Sequence, residues 1–255
     1  MPGHSPLPHE LTDRIVDFVH NDQLALSMFS LAGRSFLPTV RYHRFSQVTL
    51  INRYERFIRL LEMSPSTSSY VSTLVLDSGL GGNSWRELHD AYAHNIFNKL
   101  PSLRFLVIRN FRVRSAMMGL LGHNTHLRNL SVLRCDLPSP EALARLVSSL
   151  RALERLCIGD LSFSENGPIT VSAPRPQLNA LGVMGLSSEA MERFCDWILD
   201  NEGGHGVQTF QTTVRSNPDT IATRYLIEKV GATLTEFAME VDAEASLAGA
   251  MSDLK

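Results

Sequence analysis

Little in this chain points to chemistry. Its three cysteines, Cys135, Cys157 and Cys195, lie far apart and are odd in number; no Cys-x-x-Cys pair occurs, and the nine histidines contain no His-Glu-x-x-His spacing. Those absences remove the common zinc frameworks and a dense disulfide scaffold, and they fit a reducing compartment, cytosol or nucleus. Charge of one sign is also lacking: 24 Lys+Arg face 26 Asp+Glu, a net −2. Such a balance gives no electrostatic argument for nucleic acid or an anionic membrane as partner. No apolar run nears the roughly 20 residues that span a bilayer. Met1 to Glu10 has neither a basic n-region nor an apolar h-region, so no signal peptide is expected.

The glycine stretches are incomplete as motifs. Gly79-Leu80-Gly81-Gly82 lies between a predicted strand and a predicted helix, where a phosphate-binding turn would sit. Ser84 occupies the place of the third glycine that a dinucleotide fingerprint needs, and no Gly-Lys-Ser/Thr follows. Gly203-Gly204-His205-Gly206 has no Gly-x-Ser-x-Gly elbow to serve and reads as a helix stop and loop. The expectation is therefore no catalytic residue, no metal and no cofactor. His123 and His126 read as solvated loop residues, and Arg41, Tyr42, His43 and Arg44 as a solvated helix end.

What is present is a folded composition, 44% hydrophobic and 20% charged over 255 residues. It divides into a tail at 1–6, a helical module at 7–45 and a longer repeat region at 46–255. In the module, Leu11, Ile15, Phe18 and Val19 share one helical face. Pro8 suits the first turn and Glu10 the positive end of the dipole. Asp22 is placed to cap a second helix carrying Leu24, Met28 and Leu31, with Gly33 at its stop. Ser35 to Tyr42 is a third helical stretch in which Pro38 fits only the first turn. Three short helices make a marginal core and need a neighbour: the rest of the chain, a partner, or both.

Beyond the module, apolar residues recur at positions 1, 4 and 6 of a unit. The copies are Phe45/Val48/Leu50, Val71/Leu74/Leu76, Leu103/Leu106/Ile108, Leu127/Leu130/Val132, Leu153/Leu156/Ile158 and Leu178/Leu181/Val183, with weaker ones at Val207/Phe210/Thr212 and Leu234/Phe237/Met239. Positions 4 and 6 alternate as on a strand. Helical stretches are predicted over Trp85–Leu100, Glu141–Leu150, Ser187–Leu199 and Asn217–Val230. A strand plus helix every 24–32 residues is the signature of a leucine-rich-repeat solenoid. The fold class expected is α/β, with parallel strands on a concave face and helices on a convex one. The alternative is a doubly wound sheet, in which Gly79–Gly82 would serve an enzyme. The repeats are irregular: of the Asn or Cys expected at position 9, only Cys135 fits.

Residues 7–45 resemble an F-box in the form common in fungal F-box proteins. The resemblance rests on Leu7-Pro8-His9-Glu10-Leu11, on Ile15 of the first helix, and on Ser30-Leu31 with Arg34 and Phe36. It implies binding to a Skp-type adaptor, and through it a cullin–RING ubiquitin ligase, with Leu7, Pro8, Leu11 and Ile15 facing the adaptor. The chain departs from the family where Ala32-Gly33 replaces Val-Cys and Phe36 replaces Trp, which removes buried volume and lowers the expected affinity while leaving the Leu-Pro tip intact. In the repeats, strand positions 3, 5 and 7 point away from the core. Among them Phe105, Arg109, Arg155 and Met184 are the candidate contacts for a protein target, by the preference of interfaces for arginine and large apolar groups. Cys157 falls on the same face. The function expected is a non-catalytic substrate receptor, with no nucleic acid or membrane as partner and a cytoplasmic or nuclear location. The competing expectation is a non-catalytic repeat scaffold in which the N-terminal helices only cap the core and bury Leu7 and Pro8.

Overall fold

The computed structural model describes residues 8–79, 86–87, 90–185, 189–200, 206–215 and 217–241. Twelve strands run through them: β1 (Gln47–Ile51), β2 (Thr73–Asp77), β3 (Arg86–Glu87), β4 (Phe105–Arg109), β5 (Phe111–Arg112), β6 (Asn129–Leu133), β7 (Asp136–Leu137), β8 (Arg155–Gly159), β9 (Ser162–Phe163), β10 (Ala180–Met184), β11 (Thr209–Val214) and β12 (Glu236–Val241). Nine α-helices accompany them among the described residues: α1 (His9–Phe18), α2 (Gln23–Ala32), α3 (Leu37–Phe45), α4 (Tyr54–Met63), α5 (Asp90–Phe97), α6 (Ser115–Gly122), α7 (Pro140–Ser149), α8 (Glu189–Leu199) and α9 (Asn217–Val230).

Eight of the strands form one parallel sheet in the order β1-β2-β4-β6-β8-β10-β11-β12. The order follows the chain without reversal, so the doubly wound alternative, which needs a switch point, is excluded. Each repeat adds one strand beside the last, and the register has no slip. Position 4 aligns from Val48 through Leu74, Leu106, Leu130, Leu156, Leu181 and Phe210 to Phe237. Position 6 aligns likewise, and from β2 to β11 both rows are buried. Parallel pairing in phase stacks identical core positions on one another, so each repeat seals the leucines of its neighbour. On β12 the same positions, Phe237 and Met239, are exposed.

The helices pack on the core face. Ser139 caps α7 by accepting from Ala142 N at 3.1 Å, with Pro140 in the first turn, as the sequence indicates. Trp85–Leu100 is not one helix: α5 is preceded by the short strand β3, and residues 85, 88 and 89 lie outside the description. The sequence reading also missed α4 and α6. In α4 the signal was available, since Phe57, Ile58 and Leu61 make one buried stripe. In α6 it was blurred by Gly119 and Gly122. A second parallel sheet, β3-β5-β7-β9, runs beside the first; its two-residue strands are too short to show alternation.

A left-handed residue follows almost every long strand. Asn52, Gly79, Asn110, Arg134, Asp160 and Gly185 all have φ between 50° and 82°. At Asn110, Arg134 and Asp160 the chain turns from the main sheet to the second, and each donates its amide to the next main-sheet strand's last carbonyl. Glycine, Asn and Asp tolerate this conformation, whereas Arg134 has no such excuse. Arg134→Asn is therefore expected to stabilise the protein by about 0.5–1 kcal/mol. Urea unfolding monitored by circular dichroism checks this, and an unchanged or lowered midpoint contradicts it.

Candidate functional site

Two surfaces have the makings of recognition sites. The first is built by α1–α3. Their own core is small: Val16, Leu26 and Val40, with Val19, Phe29 and Phe36 packed against it. Asp22 caps α2 by accepting from Leu24 N and Ala25 N at 2.9 and 3.0 Å. Thr39 donates its hydroxyl to Asp13, which holds that carboxyl below its ordinary pKa. His43, read as solvated, instead shares a 2.7 Å hydrogen bond with Asp17 and ties α3 to α1. The third helix starts at Leu37, later than the sequence indicates, because Arg34–Phe36 forms a 3₁₀ turn first; Pro38 falls in its first turn. Ser46 O then accepts from Ser72 N and Thr73 N, which joins α3 to the first sheet strands.

The apolar stripes read from sequence do not point into this core. On α1 the buried residues are Thr12 and Val16, while Leu11, Ile15 and Phe18 face solvent, Phe18 at 92% exposure. On α2 only Leu26 is buried; Leu24, Met28 and Leu31 are exposed at 73%, 65% and 88%. The shared face of Leu11, Ile15 and Phe18 is thus correct, but Val19 departs from it and turns inward. Pro8 precedes α1 as its N-cap residue and is exposed. Leu7 lies outside the described residues. Six exposed large apolar side chains on two adjacent short helices are unusual for a free surface. At roughly 1.5–3 kcal/mol for each such side chain fully buried, covering them would be strongly favourable.

The second surface is the open face of the main sheet. Its centre is a three-by-three array fixed by register: Phe105, Val107 and Arg109 on β4; Asn129, Ser131 and Leu133 on β6; Arg155, Cys157 and Gly159 on β8. Met184 follows beside Gly159 on β10. Phe105 and Arg155 are exposed, Arg109 and Met184 half-buried. The four candidate contacts are therefore on one face, with Arg109 and Arg155 at opposite corners of the array. Gly159 and Gly182 are required by close approach: a Cβ at Gly159 would stand 2.9 Å from Met184 Cβ, and one at Gly182 3.0 Å from Cys157 Sγ. Met184 and Cys157 thus lie over the glycines, and the middle of the face is floored by small groups.

The cysteines do not have the setting of a nucleophile. Cys135 is fully buried and donates to Leu133 O at 3.3 Å, so position 9 here satisfies the turn backbone as expected. Burial pushes its thiol up to about 12. Burial also raises Cys195, and raises Cys157 against a weaker opposing hydrogen bond with Ser131. Polar contacts instead connect the repeats. Asp77 Oδ1 accepts from Gly79 N at 2.9 Å and from Asn110 Nδ2 at 2.8 Å. Asp136 accepts from Arg112 Nε at 2.8 Å and Ser162 Oγ at 3.1 Å. Sequence reasoning passed over this network, though the polar residues just past each strand were its signal. Gly79 is thus a left-handed turn residue held by Asp77; Leu80 to Gly82 and Gly203 to His205 lie outside the described residues. Among the described residues no group of three or more His, Cys, Asp or Glu is placed to hold a metal ion, and no helix is long and apolar enough to cross a membrane.

No family model matches the chain, and no curated protein does. Among solved structures, the crystal structure of a TLR13–ssRNA13 complex is similar over 72% of this chain and 34% of that one, at 12% identity and a TM-score of 0.24. The chain spans about a third of the length of that neighbour.

The burial of the thiols has a direct test. Ellman's reagent at neutral pH is expected to modify Cys157 first and slowly, and Cys135 and Cys195 only on unfolding. Reaction of either buried thiol in the folded protein at the rate of free cysteine would contradict the packing described.

Proposed function

We propose that this chain is a substrate-recognition subunit of a cullin–RING ubiquitin ligase. Helices α1–α3 act as an F-box that holds a Skp-type adaptor, and the repeats act as a leucine-rich-repeat domain whose open sheet face holds a protein target. The observation that carries the reading is the exposure of Leu11, Ile15 and Phe18 on α1 and of Leu24, Met28 and Leu31 on α2. A module that only capped the repeats would turn those residues, and Pro8, into the chain's own core; they face solvent instead. Of the departures from the family pattern, Phe36 packs inside the module, its ring tilted against Phe29 with centroids 5.2 Å apart. No side chain here is asked to perform chemistry. The chain's contribution to ubiquitin transfer is proximity, since holding two reactants together raises their effective concentration.

The test is co-expression with a Skp-type adaptor and affinity purification of the full chain. The adaptor is expected to co-purify in stoichiometric amount. Ile15→Asp, at a half-exposed position outside the module core, is expected to abolish capture with little change in thermal midpoint, because a charge would be desolvated in the interface. Leu11→Ala is expected to weaken it by roughly 10-fold or more. Arg59→Ala on α4 is the neutral control. Absence of adaptor from the parent sample, or equal capture by Ile15→Asp, overturns the proposal.

A further inference from the structure

The chemistry of the open sheet face narrows the class of its target, given the reading that this face receives one. Arg109 and Arg155 stand at opposite corners of the central array, two strands and four residues apart. From strand spacing and rise, that diagonal is roughly 16 Å. Neither arginine forms an ion pair among the described residues, whereas Arg128, just outside the array, pairs with Glu154 and Arg112 with Asp136. Asp77, beside Arg109 in register, already accepts from Gly79 and Asn110. Arg109 Nε is moreover buried with no hydrogen-bond partner, a state that costs stability unless something binds it. Between the two corners the floor is small: Ser131 at the centre and Cys157 beside it. Phe105, exposed at 40%, stands at a third corner. Apart from Asp77, whose Oδ1 is engaged by Gly79 and Asn110, the acidic residues of this face stand on β12, Glu236 and Glu240.

We propose that this face binds an extended acidic peptide segment of the target, with two carboxylates four residues apart and an apolar side chain midway. In an extended chain, residues i, i+2 and i+4 project to one side, and i to i+4 spans about 13 Å. Arginine side chains close the remaining distance. One carboxylate meets the accessible part of the Arg109 guanidinium, the other meets Arg155, and the middle side chain sits over Ser131 and against Phe105. A basic segment is repelled at both corners, and a compact run of acids cannot reach both.

The probe is the capped peptide Glu-Thr-Leu-Thr-Glu, titrated into the full chain by calorimetry at low salt. Its comparators are Lys-Thr-Leu-Thr-Lys, the reordered Glu-Glu-Thr-Leu-Thr, and single-stranded polyuridylate. The first peptide is expected to bind best. Arg155→Met and Arg109→Met are each expected to weaken it about tenfold, as for loss of a charged hydrogen bond. Arg59→Met should leave it unchanged. Arg155 is exposed, so its variant keeps the test valid if Arg109→Met unfolds. Failure of the first peptide to bind, equal binding of the lysine or reordered peptide, tighter binding of the polynucleotide, or indifference to Arg155→Met overturns the proposal. Adaptor capture is scored on the same variants. Its retention beside lost peptide binding confines the effect to this face; its absence beside intact peptide binding overturns the ligase reading alone.

Discussion

Each repeat in this chain buries its leucines only because the next lies beside it in register. The eight-strand order runs with the sequence, and positions 4 and 6 align across every described pairing. A slip of one residue would turn the core row of a strand onto the open face. The αL turns protect that phase, since at Asn52, Asn110, Arg134, Asp160 and Gly185 they redirect the chain at the residue just after the strand. So do the side-chain links from Asn110 to Asp77 and from Arg112 to Asp136, which bridge neighbouring repeats beyond the sheet itself.

The two candidate surfaces are consequences of that arrangement. Once helices and leucines occupy one side of the sheet, positions 3, 5 and 7 have nowhere to go but the other. Their chemistry is then released from packing and free to specify a partner. Glycine at 159 and 182 keeps that face low, and arginines at 109 and 155 mark it. At the N-terminal end the same economy of core operates differently. Val16, Leu26 and Val40 suffice to hold α1–α3 together because α3 continues into β1. The larger apolar residues of α1 and α2 are left outward, where a partner would supply the missing half of the core.

Much of this was legible from the residues. The recurring Leu-x-x-Leu-x-Leu positions marked every strand of the main sheet, because a buried parallel strand needs apolar groups at alternate places. Ser139-Pro140 and Asp22 announced their helices through capping chemistry that acts within a few residues. The face to which Leu11 and Ile15 belong was also readable, but its direction was not: helical periodicity says which residues stand together, while only tertiary contacts say that Thr12 and Val16 are the pair turned inward. The second sheet was invisible because two residues cannot alternate. The unpartnered Nε of Arg109 was invisible for a different reason: hydrogen-bond satisfaction belongs to the folded environment.

On the proposed reading the adaptor covers the exposed apolar residues of α1 and α2 and leaves the sheet face free. Hydrogen–deuterium exchange of the full chain, with and without a Skp-type adaptor, measures this most directly. Slowed exchange across residues 8–31 on adding adaptor, with β4, β6 and β8 unchanged, is the expected result. Unaltered exchange in α1 and α2, or protection confined to the sheet strands, would contradict it.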